Sequence, residues 1–142
     1  IRDTAYESLL KTRRQAFHAC IAQVLYAQYP AVAFTQPELL AHHYSAANMN
    51  EQAASEWARA GQLAAERAAY VEAVDHFGAA LASLKGCDLD AGAAQAELEI
   101  LLALAPALLV IKLWSAPEVL QTYLRARDLA AESGTAAQAF AA

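Results

Sequence analysis

The sequence predicts an all-α protein of about seven helices arranged as antiparallel hairpins. Three observations carry that reading. Ala, Leu, Glu, Gln and Arg abound while β-branched residues are scarce, so helix propensity is high and strand propensity low. Apolar residues recur at three-, four- and seven-residue spacings rather than alternately. The gaps between periodic segments are short, which makes successive helices antiparallel neighbours. At 142 residues the chain suits a single domain.

Taken in order, Thr4 with Glu7 and Thr12 with Gln15 each fit a capping box, so a short helix is expected near 4–10 and a longer one near 13–29. Along the second, Phe17, Cys20, Ile21, Val24, Leu25 and Tyr29 form an apolar stripe expected to pack, and Pro30 ends the helix. "TQPELL" (35–40) offers Thr35 as N-cap, Pro37 in the first turn and Glu38 at the third position. "SAPEVL" (115–120) repeats that grammar with Ser115, Pro117 and Glu118. In both, the missing proline N–H is one that a helix start leaves free anyway. Helices are placed near 37–47, 51–67, 70–85, 93–113 and 117–133, with Gly86 and Gly134 as C-caps. Pro106 removes the bond to the Leu102 carbonyl, so the 93–113 helix is expected to kink or to break there. The apolar run Ile100–Ile111 is too short to span a membrane and reads as a buried helix.

"WARAGQLA" (57–64) places a tryptophan four residues before a mid-helix glycine, which costs about 0.5–1 kcal/mol relative to Ala. Close approach of another helix would offset that cost. The next segment supplies the partner: Trp57, Ala60, Gly61 and Ala64 are followed by Ala73, Phe77 and Ala80. Gly61 and Ala73 lack bulk, so two backbones can approach there, with Trp57 and Phe77 filling the space alongside.

This pattern resembles the tetratricopeptide repeat, a helix-turn-helix unit of 34 residues, over 54–87. Ala64 departs from it, because the family usually has an aromatic residue there. Looser matches fall at Leu40, Ala41 and Tyr44, and at Leu101, Leu104, Ala105 and Leu108. Val119, Tyr123 and Ala126 match two residues late. The resemblance implies a tetratricopeptide-like α-solenoid across 1–142, with one good repeat and two degenerate ones.

A second resemblance lies in wording. "IRDTAYESLLKTRRQAFHACIAQVL" (1–25) is similar to a segment of bacterial STAND-class signalling ATPases, including predicted ATPases fused to adenylate or guanylate cyclase domains. "QPELLAHHY", "AGQLAAERAAYVEA" and "LAPALLVIKLWSAPEV" agree with it. It implies that residues 1–30 are junction helices following an ATPase and winged-helix region. The whole would be the sensor or coupling arm of a cytoplasmic signalling protein. A STAND-class transcription regulator is the alternative. So is an enzyme fragment completed by other domains, in which His18, Arg13, Arg14 and His42 would face an inter-domain cleft. The start at Ile1 and the end in "AQAFAA" likewise predict a piece of a longer protein.

No reaction is written in the residues. The net charge of −5 argues against nucleic acid, and no GxxxxGK[ST] or GxGxxG occurs. Lys11, Arg13 and Arg14 read as a solvated helix start, and Cys20 and Cys87 as buried free thiols. His42 and His43 are adjacent and diverge by about 100° on a helix. Glu38 with His42, and Glu72 with His76, sit four apart, which supplies two ligands where zinc takes more. His18 reads as a helix-junction hydrogen bond, Glu97 and Glu99 diverge, and no serine lies in a GxSxG elbow. Catalytic, cofactor and metal residues are therefore assigned to none. The expected partner is a protein, a peptide or another domain of the same chain, without nucleic acid or membrane. The repeat resemblance implies groove positions Ser55, Ala58, Gln62 and Ala65, with Glu38, His42 and Ser45 on the preceding helix. Leu109, Leu113 and Trp114 are expected to support self-association.

Overall fold

The computed structural model describes residues 2–87, 91–112 and 116–133, and side chains within 10–87, 92–112 and 116–132. Among them the chain is all-helical with no strand. The helices are α1 (Arg2–Gln28), α2 (Pro30–Thr35), α3 (Pro37–Ala46), α4 (Asn50–Glu66), α5 (Tyr70–Leu84), α6 (Ala91–Ile111) and α7 (Pro117–Ser133).

Seven helices are reached by a different division from the expected one. Residues 2–28 form one helix, not two, and Thr12 lies inside it rather than at a cap. No Pro or Gly falls between positions 4 and 28, and an interior Thr costs at most about 0.7 kcal/mol. A break would leave two sets of unsatisfied backbone groups. The additional helix is α2. Pro30 stops α1, yet it also occupies the first turn of the next helix, where its fixed φ fits. Thr35 consequently closes α2 instead of capping α3: its hydroxyl donates to the Ala31 carbonyl at 2.9 Å. Gln36 stands at the N-cap of α3 without a side-chain cap bond.

α6 runs unbroken through Pro106. It is also longer than the apolar run alone suggests: Gly92–Ile111 is the one stretch among the described residues long and apolar enough to cross a membrane. Core helices pass that criterion too, and α6 lies in two cores. Ile100, Leu104 and Leu108 join α4 and α5, while Leu98 and Leu101 meet Ala126, Leu129 and Ala130 of α7. A helix packed on both sides is apolar all round. Leu113, Trp114, Ser115 and Gly134 lie outside the described residues.

Each helix from α1 to α7 packs on the next; α1 also packs on α3, and α4 and α6 touch as well. The connections 47–49 and 67–69 share one geometry. Asn48 and Ala68 both have φ of 60°. The following amides bond back five residues, Met49 to the Tyr44 carbonyl and Ala69 to the Ala64 carbonyl, each at 2.9 Å. This is the αL closure of a helix end. Gly86 follows α5 without that left-handed φ. Asn50 lies against its Cα and donates Nδ2 to its carbonyl at 3.0 Å.

The α4–α5 contact is tighter than backbone proximity alone. A Cβ on Gly61 would stand 2.7 Å from both Cδ1 and Cε1 of Phe77. The phenyl ring therefore does not fill space beside the glycine; it lies on it. Ala60, Ala64, Ala73 and Ala80 surround the pair, all buried.

Gly61→Ala should accordingly lower stability by about 1–3 kcal/mol in urea unfolding, although alanine is the better helix former. Phe77→Leu should recover part of that loss in a double-mutant cycle; additive losses would mean that the ring is not the obstacle. Ala68→Gly should act oppositely, raising stability by about 1 kcal/mol because it relieves a left-handed alanine. An unchanged melting temperature would show that Ala68 carries no strain.

Candidate functional site

One face of α4 presents Glu51, Ser55, Ala58 and Gln62 at helical spacing, and α6 faces it with Ala96, Glu99 and Ile100. Between them lies a groove of about 610 Å³. Its depth comes from alanines: Ala54 and Ala58 on one wall and Ala93 and Ala96 on the other leave room that larger side chains would fill. Carboxylates stand on both walls, Glu51 on α4 and Glu99 on α6. Glu99 accepts a hydrogen bond from Gln95 at 2.9 Å, while Glu97, two residues away, points to α7 and holds Arg125 in a two-bond pair at 2.8 and 3.0 Å.

Arg59 also borders the groove, but its guanidinium is engaged elsewhere. It donates to Glu56 at 2.5 Å, to the Ala33 carbonyl at 2.6 Å and to the Phe34 carbonyl at 3.1 Å, and lies 5.8 Å above the Phe34 ring centre. Those carbonyls belong to the last turn of α2, where a helix leaves acceptors free and favours a cation. Sequence reasoning gives Arg59 no role, because its partners arrive on a helix that the sequence did not announce.

The expected groove residues divide. Ser55, Ala58 and Gln62 line the groove together, whereas Ala65 packs against the main core. His42 and Ser45 instead meet Trp57 at the α3–α4 seam. The Ser45 hydroxyl accepts the indole N–H at 3.1 Å, and the His42 ring stands edge-on to the indole at 4.7 Å. Glu38 is half-buried on α3. On the other side of the indole, His76 stacks at 5.3 Å and 26°, with Glu72 3.5 Å from its Nε2. Trp57 thus lies between two imidazoles. The remaining histidines meet each other: His18 of α1 and His43 of α3 share a hydrogen bond, Nδ1 to Nδ1, at 2.9 Å. His18 is therefore a junction residue. Among the described residues no group of three or more His, Cys, Asp or Glu is placed to hold a metal ion.

Two expectations about α1 are overturned. Phe17, Ile21, Val24 and Tyr29 are exposed rather than packed, and Cys20 is exposed rather than buried. The packing face is the neighbouring one, His18, Ala22 and Leu25, because His43 and the Leu40 side of α3 complement small and polar residues there. Cys87 is half-buried, and Lys11, Arg13 and Arg14 are exposed.

The chain matches no family model, no curated protein and no solved structure.

Burial, and then the neighbouring His18 and His42, hold the His43 imidazole below its ordinary value of 6.5. An unfolded chain takes up that proton near 6.5 and the folded one resists it, so the unfolded state binds more protons below that pH. Stability should therefore fall as pH drops through 6.5, and His43→Asn should flatten the loss. Urea midpoints at neutral and mildly acidic pH check this; equal slopes for both proteins would remove His43 as the cause.

Proposed function

We propose that this chain is a protein–protein interaction module, a tetratricopeptide-like α-solenoid whose α4–α6 groove seats a segment of a partner. The observation that carries the reading is the groove: alternate helices of the array form a concavity floored by alanine and edged by polar side chains. Ser55, Ala58 and Gln62 reach it from one helix face, as the repeat resemblance implies. Alternate helices lining a concave surface is the arrangement by which solenoids bind extended partners. On this reading Trp57, Ala60, Gly61, Ala64, Ala73, Phe77 and Ala80 build the hairpin and touch no ligand.

The wording shared with STAND-class signalling ATPases supports a broader role: the sensor or coupling arm of a cytoplasmic bacterial ATPase, in some architectures one joined to a nucleotide cyclase. A partner in the groove would bias the upstream machine only through a difference in affinity between its two states. The module itself performs no chemistry.

A displayed library of random peptides, selected on the 142-residue chain, tests the groove. Enriched peptides should lose binding at least tenfold to Ala58→Trp, which fills the concavity, provided the variant keeps its helical circular dichroism. Peptides that bind Ala58→Trp equally well would sink the reading, as would the absence of both enrichment and self-association.

A further inference from the structure

α1 meets the rest of the protein through one face, that of His18, Ala22 and Leu25. The stripe beside it is unpartnered: Leu10, Phe17, Ile21 and Val24 are 44, 67, 41 and 39% exposed. Spacings of seven, four and three residues align them into one crest. Arg13 lies four residues before Phe17 and Arg14 three before it, so one guanidinium stands on each flank of the crest. Both arginines are exposed.

The α4–α6 groove is the inverse relief. Its middle is apolar, with Ala54, Ala58, Ala96 and Ile100, and it carries one carboxylate on each wall, Glu51 and Glu99. The bordering Arg59 is paired with Glu56 and does not compensate them. The crest overspans the wall by about one turn: the α4 wall from Glu51 to Gln62 runs about 16 Å and the crest from Leu10 to Val24 about 21 Å, at 1.5 Å per residue. α1 is fixed to α3 by its other face, so the crest cannot turn into the groove of its own chain.

We propose that the occupant of the groove is α1 of a second copy of this chain. The crest enters between α4 and α6, and Arg13 and Arg14 meet Glu51 and Glu99 on opposite walls. The contact is heterologous, crest to groove, so each copy keeps one unused crest or groove and the assembly grows as a chain or closes as a ring. The proposal rests on the reading of the groove as a binding surface and names its partner.

Sedimentation velocity of the 142-residue chain against concentration and salt tests it. The wild type should associate, and added salt should weaken that association. R13E/R14E alone and E51R/E99R alone should each associate at least roughly tenfold more weakly, because like charges then face each other. Mixing the two should restore association, as should combining all four substitutions in one chain. Helical circular dichroism confirms that each variant folds. A wild type that stays monomeric, or association that survives both reversals, overturns the proposal. Ala58→Trp separates the two levels of inference. If the chain is monomeric while selected peptides still bind in an Ala58→Trp-sensitive way, the groove stands and the second copy falls. If neither occurs, both fall.

Discussion

The Phe77 ring resting on the Cα of Gly61 is the constraint from which the rest of the structure follows. A Cβ at position 61 would overlap the Phe77 ring, so the ring or the helix that carries it would have to shift. With α5 seated that closely, the alanines at 60, 64, 73 and 80 are in contact and fully buried. α6 then lies over both helices with Ile100, Leu104 and Leu108. Interiors tolerate little void, so a core of small residues requires short distances between helix axes. The glycine sets that distance.

The outer helices are positioned by polar contacts that reach across from α4. Trp57 fixes α3 through one hydrogen bond and an edge-on imidazole. Arg59, two residues on, fixes α2 by bonding the carbonyls at its end. Nearly opposite faces of one helix thus set the register of two others. The groove toward α6 occupies a third face, whose Glu51, Ser55 and Gln62 make none of those contacts. Solvent-facing carboxylates can then stand over an alanine floor without disturbing the core.

How much of this is legible in the sequence depends on distance along the chain. The hairpin of 54–87 is readable because the spacing of Trp57, Gly61, Ala73 and Phe77 is local and periodic. What it does not disclose is that the ring sits on the glycine itself. The groove face of α4 is readable for the same reason, but not the walls brought by α6, since no local pattern records which helix lies opposite. α1 misleads in two ways. Capping-box residues at Thr4 and Thr12 carry the same letters whether or not a helix begins there. Its apolar stripe also says nothing about which neighbouring face α3 will take. α2 is missed because one proline both ends a helix and starts another, and six residues are too few to show a period. The left-handed Ala68 leaves no signal either, as alanine is a strong helix former and not among the residues that favour that conformation.

Among the described residues the three apolar clusters are unequal, and the one joining α1 and α2 to α3 is the smallest, formed by Ala22, Ala33 and Leu40. Local opening follows the contacts that must be lost. Amide protons of α1 should therefore exchange with deuterium through a partial opening that leaves α4 and α5 protected. The slowest amides should be those around Gly61 and Phe77, where exchange requires the whole chain to unfold.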